Sequence, residues 1–163
     1  MALIVAPDAG AEAYTSVAAA DAYHAARGNT AWAALIVPQK EQALRRATDY
    51  MVAQYSGRWR GEMIDPNQSL DWPRYGAWIN GWLLDNTTIP AAIINACAEL
   101  ALRASTAPLY ADVGPQEVTS ERVGPIAVTY AARNAGQTLY PAVDEMLARY
   151  LSGGRGQTML VRG

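Results

Sequence analysis

A mainly α-helical fold, a small helical bundle carrying one β-hairpin, is what this 163-residue chain predicts. Three observations carry that reading. Apolar residues recur at helical spacing in segments that open on serine, threonine or proline and close on glycine or proline. Only the stretch around 117–130 changes to alternation. Hydrophobic residues make up 51% and charged residues 17%, enough apolar surface for one core in a chain too short for two.

Taken in order, residues 1–14 scatter small and apolar side chains around the breakers Pro7 and Gly10, which predicts an extended N-terminal arm. Thr15 or Ser16 then caps a first helix, in which Val17, Ala20, Tyr23 and Arg27 repeat until Gly28 stops it. Thr30 opens a short second helix with Trp32, Leu35 and Ile36, and Pro38 suits the first turn of a third. From Gln39 to Tyr55, Leu44, Ala47, Met51 and Tyr55 form one face, away from Glu41, Gln42, Arg45, Arg46 and Asp49. A fourth helix runs from Ile89-Pro90 to about Thr106. Its polar positions Asn95, Glu99 and Arg103 fall at four-residue steps, so Glu99 can pair with Arg103 while Ile93, Ala96, Cys97, Leu100 and Ala104 are buried.

Pro108 ends that helix. Val118, Ser120 and Arg122 precede Gly124-Pro125, and Ile126, Val128 and Tyr130 follow it, which predicts a β-hairpin over about 117–130. A lone hairpin is marginal in water, so the bundle or a neighbouring subunit should support it. Pro141 opens a last helix with Val143, Met146, Leu147 and Tyr150 on one face and a Glu145–Arg149 pair outside. The plan is therefore an arm over 1–14, a helical domain over 15–151 and a flexible C-terminal tail over 152–163. The tail follows its glycine-rich joint, Gly153-Gly154-Arg155-Gly156, with an apolar cluster, Met159, Leu160 and Val161, that has no internal purpose.

Ser56 to Thr88 fits no element. It holds four tryptophans, Trp59, Trp72, Trp78 and Trp82, and is too apolar for a solvated linker. A loop of this length has a task and must pack its aromatics on the domain or on another chain.

The composition excludes several classes. A net charge of -2 and a pI near 5.3 provide no global basic surface for phosphate backbones. One cysteine, Cys97, forms no internal disulfide and no multi-thiolate zinc site, and one histidine, His24, serves no two-imidazole centre. No apolar run reaches a membrane span and no signal peptide is visible, so the expected place of synthesis is the cytoplasm.

Catalytic groups do not converge. His24 lies beside Tyr23 on a helix without a nucleophile in view, Cys97 reads as a buried hydrophobe, and the one lysine, Lys40, has no evident partner. Asp65, Asp71 and Asp85 share the long loop without ligand spacing, and Gly153 to Gly156 lacks the lysine and hydroxyl of a phosphate loop. No enzyme activity, metal or cofactor is expected. Arg58-Trp59-Arg60, followed by Trp72, Arg74 and Tyr75, sets cations beside aromatics, as single-strand binding requires. The same residue types dominate protein interfaces, and the negative charge favours protein partners.

A family resemblance adds to this. Ser16-Val17-Ala18-Ala19-Ala20-Asp21-Ala22-Tyr23, Ala43 to Tyr50, Leu70-Asp71-Trp72-Pro73-Arg74, Ile89 to Ile93 with Ala98 to Ala101, Val123 to Ile126 with Tyr130, and Tyr140 to Asp144 occur in an order that resembles a family of tailed-bacteriophage proteins. Those proteins carry the label DnaT-like single-stranded-DNA-binding and are grouped with head–tail connectors. The resemblance covers roughly residues 14 to 151. It implies a structural virion protein: a head–tail adaptor, or head completion protein, forming an oligomeric ring of about twelve copies under the portal. Such a ring would join capsid to tail and line the channel through which double-stranded DNA leaves during genome ejection, without binding it specifically. The implied partners are sister copies, the portal protein and a tail-side completion or tail-tube protein, with no membrane.

On that reading Trp59, Trp72, Arg74, Tyr75, Trp78, Trp82, Val123, Ile126, Met159, Leu160 and Val161 are the candidate subunit or portal contacts. The alternative that the label implies is a DnaT-like replication module that binds single strands, with Arg58, Trp59 and Arg60 as the nucleic-acid contacts.

Overall fold

The computed structural model describes residues 2–110, 120–123, 126–129 and 140–153. The order of elements is α1 (Val17–Ala25), α2 (Thr30–Ala33), α3 (Val37–Tyr55), β1 (Glu62–Met63), β2 (Arg74–Tyr75), β3 (Trp78–Ile79), β4 (Trp82–Leu83), α4 (Ala91–Ala104), β5 (Ser120–Val123), β6 (Ile126–Thr129) and α5 (Pro141–Leu147), with a 3-10 turn over Ala148–Tyr150. The fold is mainly helical, as the spacing predicts. The chain divides into two units, Met1–Leu109 with Tyr140–Gly163 and Tyr110–Leu139.

In the larger unit α3 lies against α4, and α4 also receives α1 and α5. Alanine makes this close packing feasible: Ala43, Ala47, Ala96, Ala101 and Ala104 are buried with Leu44, Met51, Ile93, Leu100, Val143 and Leu147. Each large apolar side chain sealed here contributes about 1.5–3 kcal/mol. Local chemistry sets the ends. The Ser16 hydroxyl accepts from the Ala19 N–H at 3.1 Å, and the Gln39 side chain accepts from the Ile36 N–H at 3.1 Å, with Pro38 in the first turn of α3.

Residues 2–14 depart from a free arm. Val5 bridges Ala13, the Ala6 N–H donates to the Ala13 carbonyl at 2.9 Å, and Ser69 donates to the Ala11 carbonyl at 3.0 Å. Ala11, Ala13 and Tyr14 are buried, and Glu12 pairs with Arg45 at 2.8 Å. The segment doubles back because its small residues fit the wall of the bundle. At the other end, Glu145 and Arg149 form no ion pair among the described residues. The chain tightens to a 3-10 turn after Leu147, which spoils four-residue stacking, and the Arg149 guanidinium sits 5.8 Å from the Tyr150 ring.

Antiparallel pairing is more extensive than one hairpin. β1 pairs with β2 and β3 with β4, both inside the segment read as a loop. In the smaller unit β5 pairs with β6, from Ser120 opposite Thr129 to Val123 opposite Ile126. The expected Gly124-Pro125 turn lies outside the described residues, as do Val118, Tyr130 and the tail beyond Gly153.

Candidate nucleic-acid interface

The segment from Ser56 to Thr88 is built on a buried charge. Arg74, 9% exposed, donates through Nε to the Arg60 carbonyl at 3.0 Å, through Nη1 to the Asp71 carbonyl at 3.2 Å, and through Nη2 to the Gly61 carbonyl at 2.7 Å. One guanidinium thus gathers three carbonyls from two parts of the segment, and burial lowers its pKa from the ordinary arginine value. Asp71, also buried, accepts from Trp59 Nε1 at 3.1 Å and from the Ser56 hydroxyl at 3.1 Å, while its N–H donates to the Tyr14 hydroxyl. Above this network the rings of Tyr55, Trp59, Trp72 and Tyr150 follow one another at 5.6, 5.8 and 6.1 Å between centroids. They form the floor of the segment.

That floor corrects part of the expected contact set. Trp59, Trp72 and Arg74 are buried within the protomer, so they offer no face to a neighbouring copy, a portal or a base. Arg58-Trp59-Arg60 likewise splits: the indole turns inward to Asp71 while Arg60 is exposed and Arg58 half-buried.

What remains outside is a short aromatic ribbon with one indole on each face. Tyr75, Trp78, Trp82 and Leu83 are 47%, 58%, 78% and 56% exposed. The two tryptophans stand on the β3–β4 ribbon, where Trp78 lies opposite Leu83 and Ile79 opposite Trp82. Asn80 and Gly81 make the turn with φ of 53° and 84°, the left-handed pair that a two-residue hairpin demands. Buried Ile79 anchors the ribbon, and the Leu84 N–H donates back to the Ala77 carbonyl at 2.9 Å. Because cross-strand partners share a face, Trp78 and Trp82 occupy opposite faces of the ribbon. The Tyr75 hydroxyl donates to Glu62, which raises its pKa and ties β2 to β1.

The backbone next to Arg60 runs against the start of this ribbon. Gly61, at φ +72°, packs so closely that a Cβ would come within 2.5 Å of the Tyr75 carbonyl and 2.8 Å of the Ala77 nitrogen. Arg60 and Trp78 are each one residue from that contact. Arg60 is fixed from behind: its N–H donates to the Tyr150 carbonyl at 2.9 Å and its Nε to the Leu151 carbonyl at 3.2 Å. Trp59 bridges Leu151, and the Ser152 hydroxyl donates to the Arg58 carbonyl at 2.9 Å. Arg58 and Arg60 line a cleft of about 490 Å³ with Asp144, Glu145, Leu151 and Gly153. A second cleft, about 380 Å³, carries Asp8 and Asp65 and no cation, which suits it poorly to phosphate.

The titratable singletons have structural partners. His24 is buried, with Nε2 at 3.0 Å from the Ala98 carbonyl, which can only accept, so Nε2 carries the proton and Nδ1 accepts from the Asn29 amide at 2.9 Å. Burial lowers its pKa. Lys40 pairs with Asp21 at 2.9 Å, and Asp21 also accepts from Trp32 Nε1. Burial pushes the Cys97 thiol up to about 11, beside the Thr48 hydroxyl. Glu99 accepts from Arg103 at 2.7 Å and from the Tyr23 hydroxyl at 2.9 Å, and desolvation first and that hydrogen bond second push Tyr23 up to about 12. Among the described residues no three His, Cys, Asp or Glu gather as a metal site. Asp65 and Asp85 accept from backbone N–H groups two residues on.

Of the remaining candidate contacts, Val123 and Ile126 face each other across the β5–β6 ladder, and Met159, Leu160 and Val161 lie outside the described residues.

A mainly helical body thus presents two exposed indoles on a short hairpin and seals the other aromatics of the segment. The chain matches, over residues 1–163, the family described as "Putative DnaT-like ssDNA binding protein", and it belongs to that family. No curated protein and no solved structure matches it. The family points to a DNA-binding module of replication type and overturns the expected head–tail adaptor and its structural virion role. The burial of Trp72 removes it from the contacts expected of that adaptor.

Proposed function

We infer that this chain is a DnaT-like module that binds single-stranded DNA on the surface formed by Tyr75, Trp78, Trp82, Arg58 and Arg60. The observation that carries this reading is the contrast among tryptophans. Trp32, Trp59 and Trp72 are at most 4% exposed, whereas Trp78 and Trp82 stand out at 58% and 78%. Exposed indoles on a pinned hairpin are unfavourable for an isolated chain and mark a contact surface. Unstacked bases supply flat partners for them, and each stacked base contributes about 1–3 kcal/mol. The family description supports the same class of ligand.

The charge supports a division of labour. No lysine or arginine occurs between Tyr75 and Leu102, so the hairpin itself reads bases by stacking, and phosphates fall to Arg60 and Arg58 across the Gly61 contact. Two phosphate contacts give a salt slope of about −1.4 for a single strand. Duplex DNA, with its bases stacked inward, gives the indoles nothing to cover.

Fluorescence anisotropy of a labelled oligothymidine tests the reading. The wild-type chain should bind it in preference to duplex, and the double variant Trp78→Ala/Trp82→Ala should lose at least about 1–3 kcal/mol of affinity. Absence of binding at low salt, or equal binding by the double variant, would refute it.

A further inference from the structure

We propose that the β3–β4 ribbon is a two-sided wedge that enters a single strand between two bases, one stacked on Trp78 and the other on Trp82, and so selects DNA whose own stack is interrupted there. This rests on the single-strand reading above. Register fixes the arrangement. Trp78 pairs with Leu83 and Ile79 with Trp82, so one face carries Trp78 and Leu83 and the other carries Ile79 and Trp82. Both faces are open to a ligand. On the first, Trp78 and Leu83 are exposed together; on the second, the core holds Ile79 while Trp82 stands clear.

A one-sided surface takes neighbouring bases of a continuous stack; a ribbon with one indole on each face does not. Side chains on one face of a sheet fill half of the roughly 10 Å that separates packed sheets, so bases lying outside the two indoles are at least about 10 Å apart. Neighbours in a stacked strand are separated by about 3.4 Å. The strand therefore gives up its stacking at the ribbon and passes round it. The tip allows that passage: Asn80 and Gly81 are both exposed and uncharged, and the turn they make leaves one short side chain between the two indoles. The base of the ribbon is held still, because Ala77, Ile79 and Leu84 pack on the core and the Leu84 N–H donates to the Ala77 carbonyl. A fixed wedge loses little freedom on binding, so each stack is realised in affinity.

The test uses the full chain and labelled oligonucleotides of one length, in which two thymines stand in an otherwise abasic strand with zero to four abasic positions between them. Affinity should peak at about two intervening positions, because three steps of about 3.4 Å cover about 10 Å. The peak should exceed the adjacent pair by about 5- to 150-fold, the share of the second stacked base. Trp78→Ala and Trp82→Ala should each bind the whole series equally, whereas Trp82→Phe, which keeps a ring on that face, should retain the peak. If the wild-type chain binds continuous oligothymidine but prefers adjacent thymines or ignores their spacing, the wedge fails while the single-strand reading stands. If it does not bind oligothymidine, that reading itself fails.

Discussion

Trp59 and Trp72 share one stretch of chain with Trp78 and Trp82, and their fates are opposite. The first pair is sealed between Asp71, Tyr55 and Tyr150, and the second projects from a ribbon anchored by Ala77, Ile79 and Leu84. Residue type does not separate them. What separates them is the partner that long-range folding brings: Leu151 crosses from the C-terminal end to cover Trp59, whereas nothing among the described residues covers Trp82. Aromatic content therefore counts candidate contacts, and tertiary hydrogen bonds decide which remain available to a ligand.

The largest effect that sharpens this comparison is Trp72→Ala. The indole is 1% exposed and stacks edge-on against Trp59 and Tyr150, so its loss leaves a cavity costing about 3–5 kcal/mol. Its Nε1 has no hydrogen-bond partner, so Trp72→Phe, which removes that orphan donor, should cost much less. Urea denaturation reads both. A loss below 1 kcal/mol for the alanine variant would break the distinction between a sealed floor and an open surface.

Legibility followed the same line. The spacings of α3 and α4 are local, and Leu44, Ala47, Met51 and Tyr55, like Ile93, Cys97 and Leu100, are buried as their periodicity requires. The Glu99–Arg103 pair was equally readable, but not the Tyr23 hydroxyl that joins it from 76 residues away. Residues 2–14 were read as extended because Ser69 and Arg45, which hold them, are distant in sequence. The candidate site was half legible. Its residue types were visible, yet Trp59 and Trp78 look alike until Arg74 and Asp71 close the network. One local signal was available: Asn80-Gly81 between two apolar pairs is the dipeptide of a two-residue hairpin, and it locates the exposed ribbon. The DNA-binding proposal rests on the family description, since an acidic chain with few cations does not announce a polyanionic ligand.

A smaller effect distinguishes the sealed side by pH. His24 is neutral in the fold, donating to Ala98 and accepting from Asn29, with the Trp32 ring at 4.8 Å. Burial lowers its pKa, while Glu99 and Asp21 oppose that shift and Arg27 adds to it. The unfolded chain therefore takes up a proton first as pH falls below about 6.5. Stability is full above that value and declines below it until the folded-state pKa is passed, at no more than about 1.4 kcal/mol per pH unit. Urea midpoints of the wild-type chain should fall between about pH 7 and pH 5, and those of His24→Gln should stay flat while starting lower. Glu99 titrates below this window, its pKa being lowered from 4.5. A wild-type curve as flat as that of the variant would mean that the imidazole is open to water.

The smallest expected effect is the most telling for the open side. Trp82 is 78% exposed, so Trp82→Ala removes little packing and should shift stability by less than about 0.5 kcal/mol. The same substitution should weaken binding to oligothymidine by about 1–3 kcal/mol, the share of one stacked base. A residue that costs the fold almost nothing and the complex about fivefold or more is a contact residue. If instead stability drops by as much as it does for Trp72→Ala, the β3–β4 ribbon belongs to the floor, and the two pairs of tryptophans have one role rather than two.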